Sequence, residues 1–245
     1  MSGHSKWANI KHKKEKGDAA KAKIFTKIGR EIAVAVKLGG SDPNSNPKLR
    51  DLMTKARDNN IPNDNIMRSI KKAAGELGNV NYESITYEGY GVGGVAIIVD
   101  TLTDNKNRTA GDMRHIFDKF GGSMGTLGCV SFMFDTKGVV IAEREDENKD
   151  DDIMLLAIDN GADDFLAEGE QYEILTEPNN LHNLRSSLEE AGIKVISAEI
   201  DKIPQNTVKI EGEAAEKIQN QIDKFEENDD VQNVWNNWDN SNIND

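Results

Sequence analysis

Cysteine, histidine, proline and long apolar runs are all scarce in this 245-residue sequence. Cys129 is the single cysteine, so no intrachain disulfide can staple the fold, and a reducing compartment is expected. No apolar run approaches the roughly 20 residues that a membrane-spanning helix needs. Residues 1–6 lack the apolar core of a secretory signal. A soluble chain acting in the cytoplasm, with no membrane partner, is the expectation. The four histidines, His4, His12, His115 and His182, are scattered and have no second cysteine beside them, which argues against zinc. The acidic run 143–152 lacks the glycine and spacing of a calcium loop. No Walker-type phosphate loop, H-E-x-x-H or G-x-S-x-G occurs. No metal, no cofactor and no catalytic residue is therefore expected, and the chain reads as a binding protein, not an enzyme.

What is abundant is charge, unevenly placed. The net charge is −13. Residues 1–80 hold 17 Lys/Arg against 8 Asp/Glu, a net of +9, and residues 81–245 hold 13 against 35, a net of −22. A partner feels the local field, because charges beyond a Debye length of about 8 Å are largely screened. Such asymmetry between two parts of a chain points to nucleic acid or a membrane surface. The membrane reading is the weaker one, because the apolar face of the first helix is needed by its neighbours.

Hydrophobic spacing predicts an α+β chain. In residues 18–38 the apolar positions Ile24, Phe25, Ile28, Ile32, Ala35 and Val36 recur at helical intervals, with Asp18 as cap and Gly39-Gly40 as stop. Two shorter helices follow, one from Pro47 and one from Pro62 or Asn63, making a three-helix N-terminal domain over 1–80. Residues 81–136 read as strand (95–102), helix capped by Thr103 or Asp104, glycine-rich loop (121–128) and strand (130–134). Residues 137–204 read βαββαβ, the ferredoxin-like pattern. Residues 207–235 read strand, helix, strand. The expected architecture is thus an N-terminal three-helix domain followed by two ferredoxin-like α/β domains, one inserted in the other. The second comprises 81–136 plus 205–238, the insert is 137–204, and 239–245 is a tail.

The candidate contacts cluster in the basic segment. His4, Lys6, Lys11, His12, Lys13, Lys14, Lys16, Lys21, Lys23, Lys27 and Arg30 surround Trp7, with Glu15 and Asp18 the only acids through Lys27. The lysines read as phosphate contacts; Trp7 reads equally as a base-stacking ring or a packing staple. In Thr103-Asp104-Asn105-Lys106-Asn107-Arg108-Thr109, a strand-to-helix passage could offer backbone N–H groups to a phosphate, helped by Lys106 and Arg108. Ordinary capping by Thr103 and Asp104 is the equal alternative. Gly89-Tyr90-Gly91-Val92-Gly93-Gly94 fits G-x-G-x-x-G, but leads into a strand where a dinucleotide site needs a helix, so it reads as a turn. Cys129 reads as a small core residue.

Ser2-Gly3-His4-Ser5-Lys6-Trp7, Lys23-Ile24-Phe25-Thr26-Lys27, Asn60-Ile61-Pro62, Tyr87-Glu88-Gly89-Tyr90-Gly91, Asn107-Arg108-Thr109 and Asp230-Val231-Gln232-Asn233-Val234 together resemble the YebC family, which includes the mitochondrial translational activator of cytochrome c oxidase. The resemblance implies three domains, no enzymatic activity, and contacts at His4, Lys6, Trp7, His12 and the lysines that follow. It implies one of two roles: a DNA-binding transcriptional regulator, or a ribosome-associated factor easing translation of proline-rich stretches. Ribosomal RNA is favoured over promoter DNA, because the −22 of residues 81–245 opposes a long duplex but matters less where one basic arm enters a ribosomal site. A ligand-binding cleft between the α/β lobes, and a protein partner on the acidic lobes, are the other readings. The oligomeric state is left open.

Overall fold

The computed structural model describes residues 17–75 and 81–239, with side chains placed from Ala22 onward. Three helices come first: α1 (Gly17–Gly39), α2 (Pro47–Asp58) and α3 (Asn63–Gly75). Then follow β1 (Glu83–Tyr90), β2 (Ala96–Thr103), α4 (Lys106–Lys119), β3 (Ser123–Met124), β4 (Phe134–Glu143), α5 (Asp150–Asp159), β5 (Ala162–Glu168) and β6 (Gln171–Thr176). The last elements are α6 (Leu181–Glu190), β7 (Val195–Pro204), β8 (Val208–Lys209), α7 (Glu213–Glu227), β9 (Val231–Asn236) and β10 (Trp238–Asp239). The chain is α+β, helices first and antiparallel sheets after, as the sequence pattern leads one to expect. Met133–Asn206 makes one compact unit, and the rest of the described chain another.

The helical bundle forms because each helix buries one stripe. Ile28, Ile32, Ala35 and Val36 of α1 pack on Leu49, Leu52, Met53 and Ala56 of α2 and on Ile66 and Ile70 of α3. Gly40, at φ +84°, lets the chain turn out of α1. Asn46 then does two jobs while almost fully buried. Its Oδ1 accepts the Leu49 N–H at 3.1 Å, capping α2, and its Nδ2 donates to Ala35 O and Gly40 O, both at 2.8 Å. Asn46→Ala removes all three bonds and leaves the buried Leu49 N–H without its acceptor, so a loss of about 2 kcal/mol is expected in urea unfolding.

In the Met133–Asn206 unit the sheet order is β5-β6-β4-β7, antiparallel throughout, which is the ferredoxin-like order. Val140, Ala142, Tyr172 and Ile174 pack there against Ala157 of α5 and Leu184 and Leu188 of α6.

The other sheet runs β3-β1-β2-β9. Val95, Ile97 and Val99 bury against Met113, Ile116 and Phe117 of α4 and Ile218, Ile222 and Phe225 of α7, with Phe117 and Phe225 edge to face at 4.9 Å. Several details differ from the sequence reading. β1 went unread, yet it fills an inner place in the sheet. Of the expected strand at 130–134 only Phe134 is in a strand, as the first residue of β4; the residues before it form a loop and a short 3-10 turn, Ser131–Met133. The reason is Glu88 of β1, a buried carboxylate that accepts the N–H groups of Gly128, Val130 and Ser131 at 2.8–2.9 Å, so they cannot join a ladder. Burial pushes the Glu88 carboxyl up, but those bonds outweigh it and hold it below its ordinary value. β8 is only two residues long and pairs parallel with β10, outside the four-stranded sheet. Asp18 lies within the first turn of α1, and α4 is capped by Asn105, not by Thr103 or Asp104. The glycine run does serve a turn, as expected: Gly89 and Tyr90 end β1, and residues 91–95 turn the chain into β2, with Gly93 at φ +71° and Gly94 at φ +79°.

Candidate nucleic-acid interface

Of the expected contacts, His4, Lys6, Trp7, Lys11, His12, Lys13, Lys14 and Lys16 lie outside the described residues, and Lys21 is described by its backbone alone. Lys23, Lys27, Arg30, Lys106 and Arg108 are placed in full.

Lys23, Lys27 and Arg30 stand at helical spacing on α1, so they share a face. That face meets the C-terminal end of α7. Lys23 Nζ donates to Glu227 O at 3.3 Å and Lys27 Nζ to Glu226 O at 3.2 Å. The last carbonyls of a helix lack intrahelical donors and carry the negative end of its dipole, so two ammonium groups cap it well. Lys27 has further partners besides.

One turn further along, Arg30 reaches Asp230. Its Nη1 donates to Asp230 Oδ1 at 2.6 Å and to Leu102 O at 3.1 Å, with the guanidinium 5.7 Å from the Tyr82 ring centre. Arg108, in the first turn of α4, donates from Nη2 to the same carboxylate at 2.8 Å and to Asp104 at 2.9 Å. The hydroxyls of Thr109 and Thr103 complete the shell at 2.7 and 3.2 Å from Asp230 Oδ2. Asp230 is held in turn by β2, because its carbonyl accepts the Leu102 N–H at 2.7 Å. Its side chain is 4% exposed, against 19% for Arg30 and 47% for Arg108. Burial alone would raise the Asp230 carboxyl; the bonds from Arg108, Thr109 and Arg30 outweigh it and bring it down to about 2. In the amide orientation that satisfies both neighbours, Gln232 adds bonds to Glu31 Oε1 and Lys27 O.

Three runs far apart in the sequence thus meet at one carboxylate: Arg30, the 103–109 segment, and Asp230 with its neighbours. Sequence reasoning gave Asp230 no role. No local signal could have supplied one, since its partners lie 122 and 200 residues away. A polar recess of about 340 Å³ opens beside the node, lined by Arg30, Asp104, Arg108, Asp112, Asn228, Asp229 and Asp230. Four carboxylates against two guanidiniums give it a negative balance, which disfavours a phosphate. Arg108 is engaged with Asp230 and Asp104. Lys106 Nζ lies 4.0 Å from Glu83 with both side chains exposed, an ion pair too loose to hold it. Cys129 is partly buried, and burial, then the nearby Glu88 carboxylate, raises its thiol. Among the described residues, no group of His, Cys, Asp and Glu side chains suits a metal ion.

Comparison with known proteins covers nearly the whole chain. Residues 5–76 match the model of the TACO1/YebC protein N-terminal domain, and residues 82–238 match that of the TACO1/YebC second and third domain. A probable transcriptional regulatory protein of Acetivibrio thermocellus is 57% identical over 239 residues, covering 97% of this chain and 99% of that one. A protein of the same name from Lachnoclostridium phytofermentans is 58% identical over 241 residues, covering 98% and 100%. Among solved structures, a conserved hypothetical protein from Aquifex aeolicus superposes with a TM-score of 0.80 at 41% identity, covering 91% of each chain.

Proposed function

This chain belongs to the TACO1/YebC family, and from that premise we propose that it is a non-enzymatic, nucleic-acid-binding regulator of gene expression whose basic N-terminal segment makes the contact. The observation that carries this reading is the charge segregation, +9 over residues 1–80 and −22 over the remainder. The placement of Lys23, Lys27 and Arg30 refines it. Those cations anchor α1 to α7 and Asp230, so the phosphate-binding work falls to the residues ahead of them, Lys6 to Lys16 with His4, Trp7 and His12. In this reading the target is RNA, ribosomal RNA above all, because the acidic remainder opposes a long duplex and shape and phosphate contacts suffice. Easing the translation of difficult, proline-rich stretches is the role that fits such a site.

A second reading, promoter DNA, is favoured by the name carried by the relatives, probable transcriptional regulatory protein. Cosedimentation with ribosomes, run alongside promoter footprinting, separates the two. Retention on ribosomes without a specific footprint is the expected outcome. Footprints at defined promoters with no ribosome association would replace RNA with DNA as the target.

A further inference from the structure

The basic surplus of residues 1–80 has more than one seat. Residues 1–16 carry five Lys/Arg against one acid, a net of +4, and residues 47–75, spanning α2 and α3, carry seven against three, again +4. Of the cations of α1, Lys23, Lys27 and Arg30 face inward. On α2 and α3 only Lys55 does so, paired with Glu31. Lys48, Arg50, Arg57, Arg68, Lys71 and Lys72 are all exposed, and none makes an ion pair with another described residue.

The densest group is on α3. Arg68, Lys71 and Lys72 stand at i, i+3 and i+4, so they form one stripe. Ile66 and Ile70, which face the bundle core, lie on the opposite side of the same helix. Like charges at this spacing repel one another, and the helix gains nothing from Arg68 in return. Lys72 alone has a local explanation, the favourable dipole at the helix C-terminus. Asp64, one turn before Arg68, is exposed and forms no ion pair with it. A concentrated, unneutralised stripe on a rigid helix fits a regularly spaced polyanion.

We propose that the outward stripe of α3, Arg68, Lys71 and Lys72, is a second phosphate-binding surface of the helical bundle, contacting the backbone of the nucleic acid that the N-terminal arm engages. This rests on the nucleic-acid reading above and extends it. The arm and the stripe bind the same strand at separate points, so their contributions to the salt dependence add.

The test uses the full chain, a fluorescein-labelled RNA hairpin and a DNA duplex of equal length, titrated across a range of salt. The variant is R68Q/K71Q/K72Q, whose three positions are exposed, so its melting temperature is expected to stay close to that of the wild type. The control is K194Q/K217Q/K224Q, an equal change in charge at exposed, paired lysines elsewhere. The stripe variant is expected to lower the log–log salt slope by about two, which corresponds to about 100-fold weaker binding at 0.1 M salt. The control is expected to change binding less than threefold. Wild-type affinity retained in R68Q/K71Q/K72Q, or an equal loss in the control, overturns the stripe as a site while leaving the arm intact. Failure of the wild type to bind either probe overturns the reading beneath it, and the stripe with it.

Discussion

Asp230→Ala is expected to destabilise the fold by about 3 kcal/mol or more, read from urea unfolding of the full chain. The carboxylate is buried and receives charge-assisted bonds from Arg30 and Arg108 and bonds from two threonine hydroxyls. Its removal strands Arg30, which is itself largely buried, and an uncompensated buried charge is what makes breaking such pairs costly. The loss carries a pH signature. The folded carboxyl sits at about 2, below its ordinary value of 3.8. A carboxyl depressed on folding stabilises the protein fully above its unfolded value, and the contribution disappears as pH falls through the folded one. The stability gap between wild type and Asp230→Asn should therefore be constant from pH 7 to about 5 and shrink by about 2 kcal/mol on going down to pH 2. A gap independent of pH would assign the effect to packing instead of charge.

The second large effect is on binding. Replacing Lys11, Lys13 and Lys14 with Ala is expected to weaken binding to every nucleic-acid sequence alike. Losing three phosphate contacts lowers the log–log salt slope by about two to three, equivalent to about 100-fold or more at 0.1 M salt. Unfolding free energy should stay within about 0.5 kcal/mol, the range typical of surface substitutions. Selective loss on one sequence would mean these lysines read bases. Unaltered binding at low salt would remove the segment from the contact surface.

The parts of the fold that were legible in the sequence are those written in local periodicity. Ile28, Ile32, Ala35 and Val36 announce α1, and the βαββαβ order of β4 to β7 follows from hydrophobic spacing and helix signals alone. β1 was not legible because its two buried positions are Glu88 and Gly89, an acid on one face and a residue without a side chain on the other, where apolar residues would mark a strand. Residues 130–134 look like a strand because they are apolar, yet two of their N–H groups are taken by Glu88, some 42 residues earlier. The same limit applies to the site. Basic residues could be counted along the chain, but their direction could not be read. Lys23 and Lys27 turn to α7, Arg30 and Arg108 to Asp230, while Arg68, Lys71 and Lys72 face outward. Charge tells which segment carries the field, and only the packing tells which cations remain to act outside the molecule.

The most direct test of phosphate binding by the basic N-terminal segment is the salt dependence of the full chain's affinity for a ribosomal RNA fragment. If about six phosphates are neutralised, the log–log slope is near −5 and binding is tight below physiological salt. Absence of binding to RNA, ribosomes or duplex DNA at low ionic strength would contradict it outright.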